Sequence, residues 1–282
     1  MMSKLQCFGI IGGDQRQLYC GRSMEEDGYS VNYCGFSKKP DGFHLTERDM
    51  LSVIRQSDAL LLPLPCTRDG LTIHAPLSEQ ALLIDELSEV FGQKPVFCGM
   101  KKLLPFTSSL LYDYSEREEF AVENAVPTSE GAIECAMHHY EGTLQGSRCL
   151  VIGYGRIGRI LSSMLRGLGA DVTVSARNLR DRAYIRSCGM KEISSAALCG
   201  QYDLIFNTVP VMLLHAQVLA KNAAHALVID LASLPGGVDF EAAKRLSIPA
   251  IHALSLPGKV APKASGIIIK NAVYNIIREE GL

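Results

Sequence analysis

The sequence predicts an α/β protein of two Rossmann-like domains, each a doubly wound parallel sheet, with an interdomain cleft. Three observations predict it. Short apolar runs alternate with amphipathic stretches in both halves of the chain. Each half opens on an apolar run that ends in glycines, and a segment with a proline and small polar residues lies between them. Such alternation marks parallel strands whose crossovers cover the sheet with helices.

Composition narrows the function. A length of 282 residues allows one large domain or two ordinary ones. The chain is 47% hydrophobic and 21% charged, with no tryptophan and a formal charge of −2. Without a block of like charges it has no electrostatic footprint for nucleic acid or an anionic membrane surface, which leaves small-molecule chemistry. Cys7, Cys20, Cys34, Cys66, Cys98, Cys135, Cys149, Cys188 and Cys199 form no C-x-x-C pair. Reduced, mostly buried thiols are expected. His138 and His139 are adjacent; on a helix they diverge by about 100 degrees and make no chelating face, so no metal is expected. No basic-then-apolar leader and no membrane-length apolar run is present, so a cytoplasmic protein is expected.

In the first half, Phe8-Gly9-Ile10-Ile11 reads as a strand, Gly12-Gly13-Asp14 as its turn, and the following stretch to about Asp27 as a helix. Ser30 to Tyr33, Ala59 to Leu62 and Val96 to Cys98 read as further strands. Asn124 to Gly131, containing Pro127, is the candidate junction before a helix over Ala132 to Tyr140, whose first turn would hold Glu130. In the second half, strands are expected at Cys149 to Ile152, Val172 to Val174, Leu204 to Phe206, Leu227 to Ile229 and Ile251 to Leu254. Ile267 to Glu280 reads as a final helix with Ile268, Ala272, Ile276 and Ile277 on one side. The expected domains are residues 1–127, completed by helix 267–282 and carrying substrate chemistry, and residues 128–266, which bind a dinucleotide.

Between the first two strands of the second half stands Gly153-Tyr154-Gly155-Arg156-Ile157-Gly158, a G-x-G-x-x-G loop. By itself that pattern is weak, but here an apolar strand precedes it and an amphipathic helix follows. Ile157, Ile160, Leu161, Met164, Leu165 and Leu168 keep the spacing of a one-sided helix. Gly153 serves the tight turn, Gly155 the approach of a pyrophosphate, and Gly158 close packing of helix on strand. Tyr154 is expected to pack rather than react. The end of the next strand separates NAD from NADP, because NAD sites place an acid there for the ribose hydroxyl. This chain has Ser175-Ala176-Arg177, while Asp171 lies at the wrong end. Ser175 and Arg177, with Arg180 or Arg182, are candidate ligands of a 2′-phosphate, so NADP is favoured over a permissive site with Arg177 in solvent. Asn207-Thr208-Val209-Pro210 and Asp230-Leu231-Ala232-Ser233 follow later strands. They either line the nicotinamide side or are ordinary loops.

Taken in order along the chain, Gly12-Gly13-Asp14 with Arg16-Gln17-Leu18, Val126 to Gly131, Gly153 to Gly158, Asn207 to Pro210, Ile229 to Ser233 with Pro235-Gly236-Gly237, and Leu256 to Lys263 resemble the A-subunit family of dipicolinate synthase. The resemblance spans nearly the whole chain. It implies NADP-linked oxidation of a dihydrodipicolinate-level intermediate, at a branch of the lysine pathway, to the pyridine-2,6-dicarboxylate that accumulates with calcium in spores. It also implies the flavoprotein-like B-subunit of dipicolinate synthase as partner, and the mother cell of a sporulating bacterium as location. Self-association is left open.

The same resemblance ties the architecture to two-lobed 2-hydroxyacid dehydrogenases, whose active site this chain departs from. Ser233 falls near the position of their carboxylate-gripping arginine, and His252 has no evident acidic partner, so it reads as a strand histidine. Ketone reduction is disfavoured. A dicarboxylate substrate calls for cationic or N–H donors: the candidates are Arg16, Thr128, Lys259 and Lys263. Arg68 is a further carboxylate candidate or a solvated arginine. Glu130 is a candidate proton acceptor or a first-turn acid, and the Gly12-Gly13-Asp14 turn an anion site or a tight connection. The rival readings are an NAD(P)-dependent 2-hydroxyacid dehydrogenase, which would turn over a 2-keto acid, and a non-catalytic NADP-binding subunit, which would turn over nothing alone.

Overall fold

The computed structural model describes residues 5–90, 93–198, 200–222 and 225–282, and the chain divides into two units, Met1–Asn124 with Ala261–Leu282, and Ala125–Val260. The first unit begins β1 (Cys7–Ile11), α1 (Gln15–Glu26), β2 (Ser30–Cys34), α2 (Met50–Gln56) and β3 (Ala59–Leu61), followed by β4 (Val96–Cys98) and β5 (Leu111–Asp113). All five strands pair in parallel in the order β2-β1-β3-β4-β5. Both faces of this sheet are covered, so its central strands are continuous apolar runs: Phe8, Ile10, Ile11 and Leu60 to Leu62 are all fully buried. The order reverses between β1 and β3, a topological switch point. Over that point the chain returns: His74 N–H donates to the Cys66 carbonyl and its own carbonyl accepts from Gly13 N–H, both at 2.9 Å.

The two units divide between Asn124 and Ala125, inside the segment expected as a junction, but the helix expected from Ala132 starts earlier. Helix α3 runs unbroken from Glu118 to His139 with Pro127 inside it. A proline in a helix interior removes one hydrogen bond and costs about 3 kcal/mol. Burial on either side offsets this: Phe120 packs into the first unit's core, Ala132 and Ala136 into the second's. Glu130 is therefore mid-helix and exposed, without the first-turn role expected of it.

The second unit continues with β6 (Arg148–Ile152), α4 (Arg156–Gly167), β7 (Asp171–Ala176), α5 (Leu179–Ser187) and β8 (Lys191–Ser194). It is completed by β9 (Leu204–Asn207), α6 (Ala216–Asn222), β10 (Leu227–Asp230), α7 (Phe240–Arg245), β11 (Ala250–His252) and α8 (Leu256–Val260). Its six parallel strands run β11-β10-β9-β6-β7-β8, the order shared by dinucleotide-binding sheets, with the switch point between β6 and β9. Among the described residues no helix is long and apolar enough to cross a membrane.

The last helix, α9 (Pro262–Glu280), belongs to the first unit and begins earlier than expected, because Pro262 takes the first helical position, where its missing N–H costs nothing. Ile269, Ala272, Val273 and Ile276 enter the core with Leu18, Cys20 and Met24 of α1. Lys270 latches the pair: its Nζ donates to Asp27 at 2.6 Å and to Ser23 at 2.8 Å. That hydrogen bond holds the Asp27 carboxyl below the usual carboxylate range. A depressed carboxyl contributes stability above its ordinary range and loses it as pH falls through the folded value. Asp27→Asn is thus expected to lower the melting temperature at pH 7 by only a degree or two, roughly, since Asp27 is partly exposed. Melting curves of the two proteins should converge as the medium is acidified.

Of the cysteines, Cys20, Cys34, Cys66, Cys98 and Cys149 are buried and free, and Cys188 is exposed. Burial pushes the Cys20 and Cys34 thiols up to about 12, which keeps them neutral. Cys199 lies outside the described residues.

Candidate functional site

In the second unit, β6 ends at the switch point and the chain turns through Gly153 to Gly155 into α4. Gly155 is the N-cap and no side chain caps it. The first N–H groups of α4 lie at the positive end of the helix dipole, the arrangement that binds a phosphate. A Cβ at Gly155 would meet no heavy atom within 4 Å beyond its chain neighbours, so the space above it is open. Gly158 is the opposite case: a Cβ there would overlap the Gly153 carbonyl oxygen. Ile157 packs against the core. Arg156 is exposed on the first turn of α4. Arg159 braces the loop from below, donating from Nε to the Tyr154 carbonyl at 3.1 Å, its guanidinium 5.0 Å from the Tyr154 ring centre. Tyr154 packs, in keeping with its place in the loop.

A cavity of about 420 Å³ opens over this turn, lined by Gly153, Tyr154 and Gly155, by Ala176, Arg177, Asn178 and Asp181, by Ser195, and by Thr208 to Val211 with Leu213. Arg177 is exposed at its rim. Ser175 is not available to it: the side chain is fully buried and its Oγ shares a 2.7 Å hydrogen bond with Ser195 Oγ. Strand pleating turns Ser175 inward, so Ser195, at the end of β8, presents the hydroxyl instead. Arg182 is likewise committed to an ion pair with Glu192, and Arg180 lies exposed beside Asp181 at 3.7 Å. Arg177 is the one cationic side chain on the cavity wall among the described residues.

Of the two later segments, Thr208, Val209 and Pro210 line the cavity. Thr208 Oγ1 donates to the Ile152 carbonyl at 2.9 Å and joins the ends of β9 and β6. Asn207 and Asp230 do not line it. Both are fully buried, and Asp230 accepts from Asn207 Nδ2 at 2.8 Å, Ala232 N–H at 3.1 Å and Gly237 N–H at 2.8 Å. Their polarity is spent on shaping two loops. Leu231 and Ala232 are buried as well, and only Ser233 is exposed. His252 donates from Nε2 to the Ala232 carbonyl at 2.9 Å and stacks on Phe240, a strand histidine as expected.

The first unit's glycine turn differs. Asp14 caps α1, accepting from Arg16 N–H at 2.9 Å, while Gln17 Oε1 accepts from Asp14 N–H at 3.0 Å. Gly12 and Gly13 N–H groups donate to Cys34 and His74 carbonyls. A helix that caps itself with a carboxylate offers no anion site, so this turn is a tight connection. Arg16 is buried, its guanidinium held by Asp14 and the Leu64 carbonyl. Thr128 is buried in α3. Lys259 and Lys263 are exposed on α8 and the first turn of α9, on helices rather than in the expected loop. Arg68 is exposed, and no acid pairs with it among the described residues.

Residues 7–104 match the model of the N-terminal domain of the dipicolinate synthase A-subunit, and residues 121–233 match that of the D-isomer specific 2-hydroxyacid dehydrogenase NAD binding domain. The chain is 31% identical to the dipicolinate synthase A-subunit of Bacillus subtilis over 96% of its own length and 95% of that protein. Among solved structures it is similar to the dipicolinate synthase A-subunit of Bacillus halodurans, with a TM-score of 0.83, 33% identity and coverage of 96% of this chain and 97% of that one. The A chain of the Bacillus subtilis dipicolinate synthase matches equally, with a TM-score of 0.83, 30% identity and coverage of 97% and 96%.

Proposed function

The chain belongs to the A-subunit family of dipicolinate synthase, and on that premise we propose that it is an NADP-linked dehydrogenase converting a dihydropyridine-2,6-dicarboxylate to pyridine-2,6-dicarboxylate. Its second unit is an NAD(P)-binding domain of dehydrogenase type. The observation that carries the reading is the α4 N-terminus, begun by the glycine Gly155, beneath a cavity whose wall holds Arg177. The residues present fit a dinucleotide. The N–H groups at the start of α4 and the open space at Gly155 would hold the pyrophosphate, Val209 to Val211 would form an apolar wall, and Arg177 with Ser195 would hold the ribose phosphate. Bound nicotinamide supplies the electron acceptor. The protein's own part is to orient the ring, bind two carboxylates and take one proton, since aromatisation itself drives the reaction. As one component of a synthase, the chain works with a second subunit of flavoprotein type.

The test is to mix the purified chain, alone and with its partner subunit, with freshly made dihydrodipicolinate and each nicotinamide cofactor, and to follow the pyridine absorbance. Absence of pyridine product under all four conditions would remove the activity. Arg177→Ala is expected to weaken NADP binding by roughly 10-fold or more, the worth of a charge-assisted hydrogen bond, and to leave NAD binding unchanged. An unaltered ratio of the two affinities in fluorescence titrations would clear Arg177 of the selection.

A further inference from the structure

Two buried cysteines of the first unit, Cys66 and Cys98, stand side by side. Strand β4 ends at Cys98, and the chain that leaves β3 runs on beside it. Leu62 N–H donates to the Phe97 carbonyl at 2.8 Å, Gly99 N–H to the Pro63 carbonyl at 3.1 Å, and Cys66 N–H to the Gly99 carbonyl at 2.9 Å. Strand pleating then sets the face. Val96 and Cys98 enter the apolar cluster that also holds Cys66, whereas Phe97 between them enters the cluster on the opposite face of the sheet. The sulfurs meet there: Cys98 S–H donates to the Cys66 sulfur, and Cys66 S–H donates onward to the Met100 carbonyl at 3.4 Å.

A disulfide needs two main chains close together with side chains turned toward each other, and this pair meets both conditions. Its burial is shallow. Both thiols are shielded from solvent, yet Met100, whose carbonyl touches the Cys66 sulfur, is 47% exposed. The sulfurs also divide the chemistry between them. The hydrogen bond from Cys98 holds the Cys66 thiol below the usual cysteine range against the opposing effect of burial, and the same bond pushes the Cys98 thiol up. Cys34, in the same cluster, has no such neighbour, and burial pushes its thiol up to about 12. The thiolate is the nucleophile, so Cys66 is suited to attack, Cys98 to resolve, and Cys34 to neither.

We propose that Cys66 and Cys98 are an oxidation site for a small peroxide, closing to a disulfide that clamps the loop after β3 to the end of β4. The Cys66 thiolate attacks one peroxide oxygen; an S–O bond forms, the O–O bond breaks, and the leaving hydroxide takes a proton to become water. Cys66 is thereby oxidised to the sulfenic acid and the peroxide reduced. The Cys98 sulfur then attacks the Cys66 sulfur. An S–S bond forms, the S–O bond breaks, and the hydroxide leaves as a second water with the Cys98 proton. Two thiols and one peroxide give one disulfide and two waters. The clamp acts on the switch point between β1 and β3, because the Cys66 carbonyl accepts from His74 N–H and the His74 carbonyl from Gly13 N–H. It is independent of the reaction that the chain catalyses.

The experiment exposes the folded full chain to excess hydrogen peroxide, alkylates the remaining thiols in denaturant, and maps the peptides by mass spectrometry. A Cys66–Cys98 linked peptide is expected, lighter by two hydrogens than the separate pair and lost on reduction, with Cys34 still alkylated. Alkylation of both Cys66 and Cys98, pairing of either with another cysteine, or a link that forms only when peroxide is added to the unfolded chain overturns the site. Closing the long loop between the two cysteines is expected to raise the melting temperature by roughly 5 °C or more, reversibly with dithiothreitol. That rise should be absent from Cys98→Ala, whose fold is checked by circular dichroism. A linked wild type that melts no higher, or a rise that persists in Cys98→Ala, overturns the clamp.

Discussion

Gly155→Val is expected to abolish NADP binding, a fall in affinity of at least roughly 100-fold or about 2.7 kcal/mol, with little effect on the folded protein. The two halves of that result have separate causes. A Cβ at 155 meets no heavy atom within 4 Å beyond its chain neighbours, and the backbone there, at φ −80°, is open to any residue. Valine is a poorer N-cap than glycine, a cost of about 1 kcal/mol or less. Its two methyl groups fill the space that a pyrophosphate must enter to reach the α4 N–H groups. Gly158→Ala is the control: one methyl overlaps the Gly153 carbonyl, so this variant should lose its fold and its binding together. Thermal melting with and without NADP tells them apart. Ligand at about 100 times its dissociation constant stabilises a binding protein by about 2.7 kcal/mol. The wild type should shift upward, Gly155→Val should melt near the wild-type apo value and not shift, and Gly158→Ala should melt early in both conditions. A clear shift for Gly155→Val would separate the glycine loop from cofactor binding.

The dinucleotide loop is legible in the sequence because everything it needs is local: an apolar strand, glycines at fixed offsets and an amphipathic helix lie within twenty or so residues. The cavity's other wall is less so. Ser195 follows β8, whose Lys191-Glu192-Ile193-Ser194 is a short, polar edge strand with no apolar alternation to mark it. Without β8, Ser175 looks like the nearest hydroxyl, yet the parity of a strand end tells only which face a side chain takes, not what already covers it. Asn207 and Asp230 mislead for a related reason. Polar residues at strand ends read as ligands, whereas these two satisfy each other across adjacent strands, a pairing that only the β9–β10 register makes visible. Pro127 reads as a boundary because proline usually ends helices, and the long-range burial that outweighs it has no local mark. The first glycine turn did carry a local signal. Asp14 and Gln17 keep the spacing of a capping box, which identifies a helix start that needs no anion. His74 carries no motif at all. Its position depends on the chain folding back over the ends of β3 and β1, between Cys66 and Gly13.

The buried Asp230 supplies the second large effect. Its carboxylate has no solvent exposure and accepts three hydrogen bonds, two of them from the backbone of the loop that follows it. Asp230→Ala would leave one of the two Asn207 Nδ2 hydrogens and the N–H groups of Ala232 and Gly237 without an acceptor in a buried place. Each stranded donor costs about 1 to 3 kcal/mol. A total near 4 kcal/mol is expected, a fall in the melting temperature of the second unit on the order of 10 °C. Asp230→Asn should cost about half as much, since its oxygen can keep Asn207 and Ala232 while its amide nitrogen faces the Gly237 N–H, donor against donor. The damage should reach the cofactor. Asn207 also holds the Val209 carbonyl at 2.9 Å, and Val209 lines the cavity, so a loosened Asn207 loosens the wall. NADP affinity of folded Asp230→Ala is therefore expected to fall several-fold, roughly in line with one lost hydrogen bond, although residue 230 touches no ligand. Urea unfolding and NADP titration of the same sample measure both effects. A stable variant with normal affinity would mean that the node shapes neither the fold nor the site.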